Sequence, residues 1–287
     1  AIMAIKGIFV TNISHNSPKF RVQVDEFLNK AKTIKNLKLL EVKNQNVLSY
    51  LKKNTPAFCL FWDKDIYLAR TLESKGIKVF NNPETIYLCD DKALTAAALD
   101  SASIAQPRFF VFPLHYYGNI IEYYDEYKKE LLALSFPLVI KERFGSFGEQ
   151  VYLATTEEEL KEIIKKHGTK PLIAQAFVQG EKGTDYRVNV IGDQVIFTVK
   201  RVNDHDFRSN INQGGTATLV KPTREMEELA IKATKAVKGH FAGVDIMVSK
   251  KGPLVIEVNS NMRTVVVNKV SDIDLTLAIL NYIVNNL

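Results

Sequence analysis

Two apolar stretches near the end of the chain carry charges that a hydrophobic core cannot absorb unaided. Gly243-Val244-Asp245-Ile246 and Leu254-Val255-Ile256-Glu257-Val258-Asn259 both read as core strands, yet each holds a carboxylate. An ionised carboxylate taken out of water without a partner is strongly unfavourable, so these two must be matched by something. Glu257 and Asn259 stand two apart and point to the same face of a strand. Two carboxylates and an amide oxygen suit Mg²⁺, with Mn²⁺ as the alternative; this hard cation keeps waters and is completed by phosphate oxygens. Upstream, Phe207-Arg208-Ser209-Asn210-Ile211-Asn212-Gln213-Gly214-Gly215 opens with an Arg and an Asn and ends on glycine.

At 287 residues the chain exceeds one small core and suits two or three packed units. Its hydrophobic share of 46% and charged share of 24% are those of an ordinary soluble protein. No apolar run reaches the roughly 18 residues of a membrane helix, and no secretory signal is visible. Ala1-Ile2-Met3-Ala4 reads as an expression remnant ahead of a natural start near Met3. Cys59 and Cys89 are too few for a disulfide framework and sit among apolar residues; both are expected to be reduced thiols of a cytoplasmic protein. The net charge of +6 is spread without a basic block or interleaved aromatics, which favours a phosphate-rich small ligand over nucleic acid. The five histidines show no zinc spacing, and no Gly-x-Ser-x-Gly or Cys–His context supports a covalent nucleophile.

Strand-like and helix-like patterns alternate over the first eighty residues: strands at 5–10, 37–42, 57–61 and 77–80, helical spacing at 20–31, and a helix at 66–75 ended by Gly76. This is a small parallel α/β unit, without the Gly-x-Gly-x-x-Gly turn of a dinucleotide site. Asn81-Asn82-Pro83 marks a boundary, followed by one helix over 85–99. Strands follow at 109–112, 137–141 and 172–178, and Gly192-Asp193 turns a hairpin between 186–190 and 194–199. Thr156-x-x-Glu159 and Ser271-x-x-Asp274 read as helix capping boxes.

Four further features could carry chemistry. Lys141 ends an apolar strand before Phe144-Gly145-Ser146-Phe147-Gly148, a loop whose N–H groups can fold over phosphates, although a plain hairpin turn fits equally. It is not a P-loop, since Gly-Lys-Ser/Thr is missing. Lys92 follows Asp90-Asp91 at a helix start and alone reads as a surface residue. Gln175 to Val178 runs into Gln179-Gly180-Glu181-x-Gly183-x-Asp185-x-Arg187, where strand-end backbone suits an adenine edge and a carboxylate suits ribose hydroxyls; an ordinary strand-to-hairpin connection is the alternative. Lys200, Arg201 and Arg208 gather three cations, with Asp204 and Asp206 between them as candidate internal partners.

In this order, the set resembles the ATP-grasp superfamily, and within it the RimK-type carboxylate–amine (alpha-L-glutamate) ligases, over roughly residues 75–287. The resemblance is sharpest at Asp91-Lys92, at Phe207 to Asn210 with Gly214-Gly215, at 242–246 and at 252–259. It implies an α/β fold with an N-terminal small parallel unit (1–82), a central ATP-grasp lobe with the glycine loop (83–178) and a C-terminal lobe with the metal site (179–287). It implies ATP phosphates at Lys92 and Lys141 under the loop of Ser146 and Gly148, adenine along Gln175, Ala176, Phe177 and Val178, and ribose at Glu181 or Asp185. Lys200, Arg208, Ser209 and Asn210 would reach the triphosphate and the reacting carboxylate. Arg208, with Arg187 or Arg201, would stabilise the oxyanion, and Asp245, Glu257 and Asn259 would ligate Mg²⁺.

The implied activity joins a carboxylate of a small molecule, peptide or protein to an amino-acid amine through an acyl-phosphate, in a homo-oligomer without nucleic-acid or membrane partners. Ala176 stands where the family commonly has an acid, and Ser260-Asn261-Met262-Arg263 stands where it usually has Ser-Pro-Gly. Those departures leave a non-catalytic ATP-binding or peptide-binding module as the alternative.

Overall fold

The computed structural model describes residues 3–146, 148–209 and 214–287. Its first sheet comprises β1 (Ile5–Thr11), β2 (Leu37–Lys43), β3 (Phe58–Trp62) and β4 (Lys78–Phe80), all parallel and ordered β2-β1-β3-β4. Parallel sheets are covered on both faces, and β3 is accordingly buried throughout. On one face α1 (Pro18–Ala31) packs Val24, Phe27 and Ala31 against Phe9, Phe58 and Trp62. On the other, α2 (Val47–Leu51) and α3 (Ile66–Ser74) pack Val47, Leu68 and Leu72 against Ile8, Val10 and Phe61. Gly7 lets the strands close up, since a Cβ there would lie 2.2 Å from the Phe58 ring.

The helix expected over 85–99 is two helices, α4 (Pro83–Asp90) and α5 (Lys92–Ser101). Asp91 breaks it: its backbone is extended (φ −101°, ψ 114°), and its carboxylate accepts from the Ala93 N–H at 2.9 Å to cap α5. Asn82 caps α4 ahead of Pro83. The final capping box is also displaced. Asp274, not Ser271, accepts from the first turn of the last helix, while Ser271 accepts from Ile273 N–H.

A second, antiparallel sheet comprises β5 (Phe109–Val111), β6 (Leu138–Glu142), β7 (Val151–Ala154) and β8 (Leu172–Ala176), ordered β5-β8-β6-β7. With α6 (Tyr124–Leu132) and α7 (Glu157–His167) it encloses a core of its own. The third sheet, also antiparallel, comprises β9 (Thr184–Ile191), β10 (Gln194–Val202), β11 (Thr216–Val220), β12 (Phe241–Ser249) and β13 (Gly252–Asn259), ordered β11-β10-β9-β12-β13. One of its faces packs on α8 (Arg224–Ala236). The opposite face meets α10 (Leu275–Asn285) and the first sheet in one shared core, entered by way of α9 (Thr264–Val270). Among the described residues no helix is long and apolar enough to cross a membrane.

Candidate active site

On β9 the even residues Val188 and Val190 enter the core against α8, which turns Asp185, Arg187, Asn189 and Ile191 to the other face. β12 repeats the pattern, with Ala242, Val244 and Ile246 inward and Phe241, Gly243 and Asp245 outward. On β10, Arg201 shares the outward face with Val199. The outward face is thus apolar where Ile191, Val199 and Phe241 join the shared core, and charged beyond it.

At the charged end Asp245 is buried and held by two arginines. Arg187 forks it at 2.7 and 2.8 Å, and Arg201 reaches it at 3.0 Å. Arg201 also forks Asp185 at 2.7 and 2.5 Å. Burial opposes the Asp245 charge, but Arg187 and Arg201 outweigh it and hold the carboxyl below the usual carboxylate range. The strand register sets Glu257 opposite Asp245 and Asn259 opposite Gly243, so all three oxygen-bearing side chains share one face. Asn259 donates its Nδ2 to Gly243 O at 3.1 Å, which leaves its amide oxygen to accept elsewhere. A hard divalent cation fits this set: the donors are oxygens only, and no group of three or more His, Cys, Asp or Glu among the described residues offers a competing site.

The glycine loop and the two lysines stand beside this face. Lys92 opens α5; its Nζ donates to Gly145 O at 2.9 Å and lies 3.8 Å from Glu257. Lys141 is buried within β6 rather than ending it, and burial pushes its ammonium down to about 8, with Glu257 and Asp245 opposing and Lys92 reinforcing. Gly148 adopts φ +73°, a conformation that suits glycine, and its carbonyl accepts from Arg208 Nη1 at 2.6 Å. Ser146 Oγ lies 3.5 Å from Lys64 Nζ of the first unit.

Not every expected residue joins them equally. Arg208 pairs with Asp206 at 2.6 Å, whereas Arg201 turns to Asp185 and Asp245, and Lys200 to Glu181 at 3.4 Å. Ser209 is buried and hydrogen-bonded to Asp185. Asn210 lies outside the described residues. Gln175 is buried near the end of β8. The N–H groups of Ala176 and Phe177 are spent on Arg108 O (2.8 Å) and Pro137 O (3.2 Å), and Val178 follows.

The RimK-like ATP-grasp domain matches residues 89–283. The chain belongs to that family. It is 33% identical over 218 residues to the uncharacterized protein MG012 homolog of Mycoplasma pneumoniae, covering 74% of each chain. A probable alpha-L-glutamate ligase of Maridesulfovibrio salexigens is 33% identical over 223 residues, 76% of this chain and 71% of the relative. D-alanine–D-alanine ligase from Bacillus anthracis shares the fold, with TM-score 0.77 over 98% of this chain and 97% of that one at 18% identity.

As a member of the RimK-like ATP-grasp family, the protein is an ATP-grasp ligase, a class of enzyme that forms carbon–nitrogen bonds. Several residues around its site escaped the sequence reading. Arg143 forks Asp91 at 2.9 and 2.5 Å, and Lys64 pairs with Asp90 at 2.7 Å. The Asp90-Asp91-Lys92 run was visible, but partners some 25 and 50 residues away carry no local signal. Asn189, an amide in a strand, was equally silent, whereas Arg263 was visible within the Ser260–Arg263 departure.

Proposed function

We propose that this ligase activates a substrate carboxylate with ATP and joins it to the amine of an amino acid, L-glutamate being the first to try, as the name of the Maridesulfovibrio relative suggests. The observation that carries the reading is the β12–β13 register, which sets Asp245, Glu257 and Asn259 together beside Lys92 and Lys141. A carboxylate oxygen attacks the γ-phosphorus; the bond to the β,γ-bridging oxygen breaks, and ADP leaves with that electron pair. The amine nitrogen then attacks the acyl carbon, the bond to the phosphate oxygen breaks, and the nitrogen releases its proton as phosphate departs.

Asp245, Glu257 and Asn259 would hold Mg²⁺, or Mn²⁺ in its place, which when bound neutralises charge developing on the phosphates. Lys92 and Lys141 serve the triphosphate as fixed cations. Arg208, bonded to Gly148 O, ties down the glycine loop that excludes water from the acyl-phosphate. Arg187 and Arg201 hold Asp245 in place and supply positive charge for the oxyanion; one such contact is typically worth ~3 kcal/mol of barrier. Adenine lies along Gln175–Val178, paired through Val178 and the carbonyls. Glu181, being exposed, meets the ribose more readily than Asp185, which Arg201 occupies. ATP would sit between the lobes 83–178 and 179–287, with 1–82 as the smaller unit. The acceptor is a carboxylate of a peptide, protein or small molecule.

The test is ADP release with ATP and Mg²⁺ across paired amino acids and short peptides, with mass spectrometry of the products. A condensation product linked to ADP is expected, and Glu257→Gln should lower turnover at least ~10²-fold without lowering Tm. ATP binding with no ADP formed across the panel would favour the non-catalytic module, and full activity in Glu257→Gln would sink the metal assignment.

A further inference from the structure

The charge of the chain is not shared evenly. Residues 1–82 hold 14 of the 38 lysines and arginines but 6 of the 32 acids, a net +8 in a chain whose total is +6, so the remainder is slightly acidic. Along the sequence these lysines look scattered, and the fold collects them. In a parallel sheet joined by helical crossovers every strand starts at the same edge, and every helix ends there. Lys6, Lys38 and Lys78 stand at the starts of β1, β2 and β4. Lys32, Lys52 and Lys75 follow the last turns of α1, α2 and α3, and Lys35 and Lys53 lie in the links that lead on to β2 and β3. All eight are exposed. The opposite edge, where Asp63 and Lys64 follow β3, is the one that meets Asp90 and the glycine loop.

Helix ends alone do not account for this face. A lysine at a helix C-terminus complements the helix dipole, which explains Lys32, Lys52 and Lys75 but not the other five. Lys6 and Lys38 are direct partners in the β1–β2 register, on strands about 4.8 Å apart. Both point to the side on which Ile8 and Val42 pack. Like charges set side by side in a sheet cost stability unless an anion answers them. Among the described residues none of the eight makes an ion pair: Lys78 donates to Asn286 O at 2.8 Å and Lys32 to Asn29 Oδ1 at 3.4 Å. Lys30, within α1, is already matched by Asp274 at 2.6 Å. Glu73 is the one acid of residues 1–82 among these helix ends and strand starts.

We infer that this lysine edge of the first sheet is a docking surface for the phosphodiester backbone of a nucleic-acid duplex. Its chemistry reads charge and little else. Among the strand starts and helix ends of residues 1–82, Met3 is the one large apolar side chain that is exposed. The edge therefore lacks the buried anchors of a protein interface, the aromatic platforms on which unpaired bases stack, and the apolar face that inserts into lipid. Lysines act as point charges, which suit phosphates repeated along a backbone and carry no sequence information. DNA and RNA duplexes share that chemistry. The expectation of no nucleic-acid partner came from the lack of a basic run along the chain, whereas this face is assembled from four strand starts and helix ends far apart in sequence. A duplex held here leaves the opposite edge, and the site beyond it, open. The inference is independent of the ligase reading.

Fluorescence anisotropy of the full chain with DNA and RNA duplexes of about 20 base pairs, from about 50 to 200 mM salt, tests this. Binding is expected, with log K falling against log salt at a slope of about −4, as four or five phosphates are neutralised. The tighter of the two duplexes names the source. Lys6→Gln, Lys35→Gln, Lys38→Gln and Lys53→Gln together should weaken binding at least ~10-fold at the lower salt and flatten the slope by about 3. Lys232→Gln, Lys235→Gln, Lys250→Gln and Lys251→Gln remove the same charge from exposed positions on α8 and the β12–β13 turn, and should leave binding within about twofold. The first set should not lower Tm, because it relieves the Lys6–Lys38 repulsion. No binding of either duplex at the lower salt overturns the surface, and so does an equal loss in both sets, which would be net charge and not a face. Tighter binding to poly-L-glutamate, or to phosphatidylcholine vesicles with about one third phosphatidylserine, than to either duplex at equal salt would replace the nucleic acid with an acidic chain or a membrane.

Discussion

Lys141 keeps its charge where water scarcely reaches it, and that makes it the most pH-sensitive group of the site. Burial lowers its pKa to about 8, Glu257 and Asp245 pull it up, and Lys92 pushes it further down. The unfolded chain holds this amine near ~10.4. Between about 8 and 10 the unfolded state therefore binds more protons, and stability should rise with pH across that window. Phosphate binding runs the other way, because it needs the ammonium. AMPPNP affinity should weaken as pH rises above about 8, and Lys141→Met should flatten that dependence while lowering affinity at neutral pH. Titrations from neutral to alkaline pH check this, and a wild-type affinity that does not change over the range speaks against the role. Arg143 offers a second test at this scale. Its side chain and that of Asp91 are 12% and 5% exposed, so Arg143→Met should cost ~3 kcal/mol in denaturant unfolding by leaving Asp91 buried without its cation.

Among the elements, the short link from β4 to α4 does more than its sequence suggests. Asn81 is fully buried; its Nδ2 donates to Phe241 O at 2.9 Å and Ser260 O at 2.7 Å, and its Oδ1 accepts from His240 N–H at 2.9 Å. This one amide pins the start of β12 to the loop after β13. Asn81→Ala should destabilise the protein by roughly 2–4 kcal/mol, as denaturant unfolding would reveal. From sequence, Asn81-Asn82-Pro83 read as a turn at a boundary and no more, since an amide that satisfies distant backbone looks the same as one facing water. Legibility followed locality elsewhere too. Apolar runs and the helical spacing of α1 were plain, as was the Gly192 hairpin, because residues within ten positions decide them. β7 and β11 went unread, being short edge strands with half-exposed alternation. The two carboxylates on β12 and β13 were conspicuous because they interrupt apolar strands. The arginine partners of Asp245 were visible only as charges of unknown address, and Arg201 had nearer candidates in Asp204 and Asp206 than the pair it adopts.

Over the whole molecule, the cores decide what can move. The first and third sheets share one hydrophobic cluster, in which Phe9, Phe27 and Trp62 meet Phe241, Met262 and Leu280, whereas the second sheet encloses its own around Leu131, Ile140 and Ile164. Calorimetry of the ligand-free chain should therefore resolve the second sheet as a separate transition while the other two melt together, and AMPPNP with Mg²⁺ should draw the transitions together. A single transition without ligand would show that the division is not energetic. Where the three bodies meet, Asp90, Asp91 and Lys92 answer to Lys64, Arg143 and Glu257 respectively, one from each sheet's side. A joint of that kind constrains descent in its own way. Asp90 and Asp91 can drift if their partners drift with them, but one residue gained or lost moves all three side chains a place along and breaks every tie at once, so the lineage can respell the two structural ties of this joint but not change its length.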